Sequence, residues 1–190
     1  MSFGKRVGAV ALVALAALAT WLEPERWVAA PDAIAGGEVW RLWTGHWVHA
    51  SWNHFALDAG LCALFVLLTR AGWYLLIAPP LVTLGVFAWR PELTSYLGLS
   101  GLLHGLALLA VATIAREERG VRRYAALAIG GVTLAKVGVE AWLRTPLFPY
   151  GIPEAGTVVF EAHALGAFLA LPFVVWPHIA IRELRASPTL

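Results

Sequence analysis

Long apolar runs, spaced along almost the whole chain, restrict the possible folds of this sequence more than any other feature. About 20 apolar residues in a helix cross a bilayer core roughly 30 Å thick, and six segments reach or approach that length. They are residues 7–22, 54–70, 71–89, 96–115, 123–143 and 160–181. Only 14% of the 190 residues are charged, against about 25% in soluble domains. The sequence therefore predicts an all-α membrane protein, one domain over residues 1–190 with six transmembrane helices and no nucleic-acid partner.

Two of these segments carry local signals that affect their interpretation. Segment 7–22 follows two basic residues, so it also has the pattern of a secretory signal peptide. We interpret it as a helix, because the other five segments alone would not agree with the charge distribution described next. Pro79-Pro80 lies inside segment 71–89 and predicts a kink or a break there. The single cysteine excludes a disulfide framework and any cysteine-based metal site.

The basic residues predict the orientation of the chain, because cytoplasmic loops carry an excess of Lys and Arg. With both termini in the cytoplasm, the inner set is Lys5, Arg6, Arg70, Arg116, Arg119, Arg122, Arg123, Arg182 and Arg185. The outer set is then Arg26, Arg41, Arg90 and Arg144. The long outer loop also carries Trp27, Trp40, Trp43, Trp47 and Trp52. Since Trp prefers the membrane–water interface, we expect this loop to lie in the outer headgroup layer.

Ionisable and hydroxyl groups inside the predicted spans are the candidates for function, because such groups are costly at membrane depth. They are His54, Asp58, Ser100, His104, Lys136, Glu140 and His163. Lys136 and Glu140 lie one helical turn apart, so we predict that they form a structural ion pair. The predicted topology places His54, Ser100 and His163 at similar depth on the outer side.

Ser100 is the candidate nucleophile. It lies between Gly98 and Gly101 at the N-terminal end of a predicted helix. Free backbone N–H groups and the positive end of the helix dipole there suit a developing oxyanion. The alternative is a packing seam of small residues that contains an inert serine.

Two histidines compete for the role of general base to Ser100. His163 is surrounded by small residues and could pack closely on the glycines beside Ser100. His104 follows Ser100 by four residues and shares its helix face. Either histidine could instead be a hydrogen-bonded interior residue. A third interpretation is a haem or quinone protein, in which the ligands would be His54, His104, His163 and His178.

Three motifs occur in a fixed order along the chain. The first is Glu-Val-Trp-Arg-Leu-Trp-Thr at 38–44, which is followed by His49, His54 and Asp58. The second is Gly-Leu-Ser-Gly at 98–101, and the third is Ala-His-Ala-Leu-Gly at 162–166. Together they resemble the rhomboid family of intramembrane serine proteases, in which two His and one Asn occupy the positions that follow the first motif.

A narrower resemblance rests on longer segments. The octapeptide Gly-Leu-Ser-Gly-Leu-Leu-His-Gly at 98–105, the pair Lys136 and Glu140, and Val-Val-Phe-Glu-Ala-His at 158–163 resemble the rhombosortase branch. This resemblance implies a compact six-helix protease without cofactor or metal in the bacterial inner membrane. Its active site would open to the periplasm, and its partners would be the lipid bilayer and exported proteins with Gly-Gly-containing C-terminal membrane tails.

The resemblance also implies roles for individual residues. Ser100 would be the nucleophile and His163 the base, acting as a dyad because the sequence places no third acid clearly. Support for the oxyanion would come from His54, Asp58, Gly98 and Gly101, with secondary candidates at His49, His104, Glu161 and Gly166. The alternative within the same fold is an inactive protein that binds membrane segments without cutting them.

Asp58 departs from the family pattern, because rhomboids generally have Asn at this position. An amide donates a hydrogen bond to the oxyanion, whereas an ionised carboxylate would repel it. Asp58 must therefore be protonated, turned away, or used to hold His54 in a charged donor form one turn earlier. We expect the last arrangement, because Asp58 and His54 share one helix face.

Overall fold

The computed structural model describes residues 21–68, 71–147 and 158–175, together with Gly8, Ala11 and Ala14, which are helical. The helices are α1 (Pro24–Trp27), α2 (Pro31–Ala35), α3 (Arg41–Thr44), α4 (Trp52–Leu68), α5 (Tyr74–Trp89), α6 (Ser100–Glu117), α7 (Gly120–Leu143) and α8 (Phe160–Val175). Short 3-10 turns cover Gly45–Trp47 and Ala71–Trp73. These residues contain no β-strand, so the all-α prediction is confirmed for the described part of the chain.

Two stretches of the described chain are long and apolar enough to cross a membrane, Ala71–Trp89 and Gly120–Leu143. The pair Arg41–Trp47 and Trp52–Leu68 would add a third span if it is taken as one unit bent by 108°. Helix α8 is apolar but shorter. Predicted segment 7–22 lies almost wholly outside the described residues, as do residues 176–181 of the last one. The structure therefore supports a helical membrane protein with two or three candidate spans.

The sequence predicts a kink or a break at Pro79-Pro80, and helix α5 runs unbroken through both prolines, so the break is excluded. A proline has no N–H, and Pro80 therefore leaves the carbonyl of Leu76 without its helical partner. The indole N–H of Trp43 donates to that carbonyl oxygen over 2.8 Å. Such replacement of a lost backbone bond by a neighbouring group is what allows proline inside an apolar helix. Helix α3 is thereby fastened to the first turn of α5.

A buried arginine organises the loop that precedes α4. The guanidinium of Arg41 donates to the carboxylate of Glu38 (2.6 Å) and to the carbonyl oxygens of Glu25 (2.7 Å) and Val28 (2.8 Å). Only 8% of Arg41 is exposed, and its charge is compensated locally by Glu38. The Arg of the 38–44 motif therefore has a structural role in holding this loop together.

The same loop is joined to the segment that leads into α6. Ala29 and Tyr96 exchange two backbone hydrogen bonds of 3.1 and 2.8 Å as an isolated antiparallel bridge. The N–H of Gly98 donates to the carbonyl oxygen of Gly45 over 3.1 Å. These bonds fix the position of the chain immediately before Ser100.

Glycines allow α6 and α8 to pack backbone against backbone. A Cβ atom added to Gly101 would lie 2.8 Å from the carbonyl oxygen of Ala162, and one added to Gly166 would collide with the backbone of Gly101. The Tyr74 hydroxyl of α5 donates to the Gly166 carbonyl oxygen over 2.7 Å at this crossing. The close approach brings the first turn of α6 beside the first turn of α8.

The substitution Gly166→Ala is expected to lower the free energy of unfolding by about 1–3 kcal/mol, because the new methyl group must push the two helices apart. Gly138→Ala is the matched control on α7, since a Cβ atom there would meet nothing within 4 Å. That change should be neutral or stabilise by up to about 1 kcal/mol through helix propensity. Thermal unfolding of both variants in detergent micelles measures the difference, and equal unfolding temperatures would contradict the crossing described here.

Candidate active site

Ser100 and His163 meet at the crossing of α6 and α8. Ser100 is the first residue of α6, and its Oγ lies 3.3 Å from Nε2 of His163. His163 is buried on the first turn of α8. The structure therefore brings together the two residues that the sequence predicts as nucleophile and base, although they are 63 positions apart.

Glu140 supplies a carboxylate to the other nitrogen of His163. Oε2 of Glu140 lies 2.8 Å from Nδ1 of His163, and only 1% of the Glu140 side chain is exposed. The expectation that no acid accompanies the pair is therefore wrong, since Ser100, His163 and Glu140 form a continuous series of contacts. The only indication of this contact in the sequence is that an acid, Glu140, lies inside a predicted span. Residue spacing shows partners within one helix, but not a partner such as His163 on another helix.

Lys136 joins the same cluster from α7. Its Nζ lies 2.8 Å from both carboxylate oxygens of Glu140, which confirms the predicted ion pair. Nζ also lies 3.1 Å from Nε2 of His104 and 3.3 Å from Nδ1 of His163. The ion pair is thus part of the site, and the ammonium group lies between two imidazole rings and a carboxylate.

The hydrogen-bond partners determine which nitrogen of each imidazole carries the proton. Nδ1 of His104 lies 2.7 Å from the carbonyl oxygen of Ser100, which only accepts, so Nδ1 carries the hydrogen and Nε2 accepts from Lys136. Nδ1 of His163 faces the Glu140 carboxylate and donates to it. Nε2 of His163 is then unprotonated and accepts from the Ser100 hydroxyl. This is the arrangement that a general base requires.

The contacts of His104 answer the question of which histidine could act as base. Both of its ring nitrogens are engaged, one with the main-chain carbonyl of Ser100 and the other with Lys136. Its ring stacks on that of His163 with centroids 4.2 Å apart and an interplanar angle of 22°. His104 therefore positions its neighbours, and His163 is the histidine that faces the hydroxyl.

The three histidines of the proposed ligand set that the structure describes, His54, His104 and His163, are not arranged around one haem iron. Two axial ligands must direct their nitrogens at opposite sides of the metal, whereas the rings of His104 and His163 lie face to face. His54 faces Asp58 instead, and His178 lies outside the described residues. Within the described part of the chain, the side chains that could hold a metal ion are His104, Glu140 and His163, whose ligand atoms lie within 4.8 Å of one another.

A second polar cluster lies beside the segment that leads into α6. Nε2 of His54 lies 3.2 Å from Oδ2 of Asp58, and Nε2 of His49 lies 3.8 Å from the same oxygen. Gly98 has a φ of +102°, and a Cβ atom there would lie 3.1 Å from Cε1 of His54. The structure thus places the His54 ring against the chain two residues before Ser100, in agreement with the expected pairing of His54 and Asp58.

If Asp58 acts through His54, the loss of activity in His54→Ala should be at least as large as in Asp58→Ala. Loss of one oxyanion donor corresponds to about 10²–10³ in kcat. The double variant should then be little worse than His54→Ala alone, because Asp58 would have nothing left to orient. Turnover of the three variants on one tail substrate tests this, and strictly additive losses would show that the two residues act independently.

Glu161 does not contact His163 in the structure. Its Oε1 lies 3.0 Å from Nη1 of Arg90, in the segment between α5 and α6, and Arg90 also pairs with Glu92. Hydrogen bonds to Glu92 and Glu161 raise the pKa of the Arg90 guanidinium, which stays charged. Glu161 therefore fastens the start of α8 to this segment, and Gly166 serves the helix crossing described above.

Comparisons of this chain with protein-family models, with curated proteins and with solved structures found no match. Function is therefore inferred from the motifs and from the geometry of the site.

Proposed function

We propose that this chain is a rhomboid-type intramembrane serine endopeptidase that cleaves C-terminal membrane tails of exported proteins, as in the rhombosortase branch. The observation that carries the proposal is the contact of Ser100 Oγ with Nε2 of His163 at 3.3 Å. It is supported by the Glu140 carboxylate on Nδ1, which holds the imidazole in the tautomer needed for proton transfer.

The proposed reaction uses these groups in sequence. Ser100 Oγ attacks the scissile carbonyl carbon while His163 takes its proton, and His163 then returns that proton to the leaving amine. Glu140 stabilises the imidazolium that exists between the two transfers. Backbone N–H groups at the N-terminus of α6, together with His54, would donate to the oxyanion. Water then hydrolyses the acyl-enzyme, with His163 acting again as base.

A membrane location is supported by the outer surface of α7. This helix exposes large apolar side chains along its length, including Val121, Ile129, Val132 and Trp142, and Trp142 is 86% exposed. Water would not favour such a surface, whereas lipid tails would. We place the protein in the bacterial inner membrane as a six-helix bundle, with the site open to the periplasm and no cofactor or metal.

The resemblance to the rhombosortase branch implies the substrate class, and the properties of a helical backbone agree with it. A helical tail hides its carbonyl groups in hydrogen bonds, so cleavage requires local unwinding. Each Gly costs about 1 kcal/mol in a helix relative to Ala. A Gly-Gly pair therefore makes a membrane tail easier to open at one position, and such tails are the proposed substrates.

The proposed orientation predicts the behaviour of topology reporters. A reporter fused after Leu190 should be active only if it functions in the cytoplasm, and one inserted within residues 146–156 should behave as periplasmic. Paired cytoplasmic and periplasmic reporters at each site provide the internal control. The reverse pattern would overturn both the orientation and the periplasmic opening of the site.

The proposed activity is tested by co-expression with a panel of membrane tails that carry Gly-Gly or Ala-Ala at the same position. Intact-mass spectrometry of the purified substrates should show a truncated product with the Gly-Gly tails, and none with the Ser100→Ala protein. Uncleaved tails across the panel, with the protease correctly inserted and the two proteins co-purifying, would favour an inactive membrane-segment binder instead.

A further inference from the structure

The ammonium group of Lys136 lies among the three side chains whose ligand atoms could hold a metal ion. It is within 3.3 Å of Nε2 of His104, both oxygens of Glu140 and Nδ1 of His163. We propose that Lys136 is a positioning residue that fills a zinc-type site in this cluster and keeps transition-metal ions away from His163. The inference concerns cation occupancy, so it does not depend on whether the site cleaves peptides.

The donor set is one that zinc uses. Two imidazole nitrogens and one glutamate oxygen are the protein ligands of many catalytic zinc sites, at about 2.0–2.2 Å from the metal. The three groups offer ligand atoms within 4.8 Å of one another. The Lys136 Nζ is 2.8–3.3 Å from these groups, so each would have to move inward by roughly 1 Å to bind an ion.

Lys136 donates hydrogen bonds to the acceptor groups of this cluster. Its ammonium has three protons, which match the two oxygens of Glu140 and the free lone pair of His104 Nε2. Glu140 is almost fully buried and needs a cation nearby. A metal ion could enter only by displacing this ammonium and by removing the proton from Nδ1 of His163.

Removal of the Lys136 side chain should therefore open the site. In Lys136→Ala both the positive charge and the volume of the side chain are lost, and the Glu140 carboxylate is left without its cation. A divalent ion would restore the charge balance and bind His104 and His163. In Lys136→Leu the charge is lost but the space stays filled, which separates charge from access.

The test is Co²⁺ binding to the full-length protein in detergent micelles, purified with a tag that does not bind metal. We expect Lys136→Ala to bind one Co²⁺ per chain, with visible absorption typical of low-coordinate cobalt, and to release it to a chelator. Wild type, Lys136→Leu and Thr133→Ala should bind none at the same concentration; Thr133 is a half-buried residue of α7 whose hydroxyl donates to the Ile129 carbonyl oxygen. Adding His104→Ala or Glu140→Gln to Lys136→Ala should abolish the signal.

Two results would overturn the inference. The first is a Lys136→Ala protein that has the circular dichroism and elution volume of wild type but binds no Co²⁺. The second is wild-type protein that binds Co²⁺ as well as Lys136→Ala and loses that binding in His104→Ala. A wild type that cuts no tail leaves this measurement unaffected, so failure of the proposed activity is recognised separately.

Discussion

Ser100→Ala and His163→Ala should each abolish cleavage of a membrane tail, with a loss of about 10⁶-fold in kcat. The proton of the Ser100 hydroxyl passes to Nε2 of His163 in the attack step, so neither residue can perform this step without the other. The double variant should therefore be no worse than either single variant. Quantitative mass spectrometry of one tail substrate in micelles measures all three proteins.

Both single variants should remain folded and membrane-inserted, because neither substitution adds volume to the helix crossing. Thr133→Ala serves as the unaffected control, because the Thr133 hydroxyl donates only to the Ile129 carbonyl oxygen of its own helix. An active His163→Ala together with an inactive His104→Ala would contradict the assignment of the base. His104 would then be the base, although its two ring nitrogens contact the Ser100 carbonyl oxygen and Lys136 in the structure.

Glu140→Gln should lower kcat by about 10⁴, the scale seen when a triad carboxylate is replaced by its amide. The amide can donate to Nδ1 of His163, which favours the tautomer with the proton on Nε2 and removes the base. The substitution also leaves the Lys136 ammonium without its anion beside a ring that must become positive. Initial rates on the same tail substrate measure this loss.

Glu161→Gln is the matched comparison for that experiment. Glu161 is also a buried carboxylate, and it lies only two positions from His163 in sequence, but its partner in the structure is Arg90. Its loss of activity should be far smaller than that of Glu140→Gln. A reversed order would mean that proximity in sequence, and not the contact across α7 and α8, identifies the acid.

The sequence predicted the fold elements well where the signal was local. Long apolar runs located α4 to α8, and the glycines beside Ser100 placed it at a helix start, where α6 begins. The continuity of α5 through Pro79-Pro80 could not be predicted, because the replacement donor, Trp43, lies 33 positions before the Leu76 carbonyl that it contacts. No pattern within one helix contains that information.

The residues of the candidate site were likewise predictable where the signal was local. Ser100 and His163 each lie in a short motif of small residues, and such a motif can be recognised in a single sequence. The contact of Glu140 with His163 was missed, because Lys136, four residues earlier, provides a sufficient local partner for the Glu140 carboxylate. Its contact with His163 joins two helices across 23 positions, and only the packing of α7 against α8 creates it.

Covalent labelling by a fluorophosphonate tests the central claim most directly, because such reagents react with a serine only when a base activates it. The wild-type protein in micelles should be labelled on the peptide that contains Ser100. Labelling should be absent from Ser100→Ala and strongly reduced in His163→Ala and Glu140→Gln. A folded wild-type protein that stays unlabelled at Ser100, or a Ser100→Ala protein labelled to the same extent, would contradict the account.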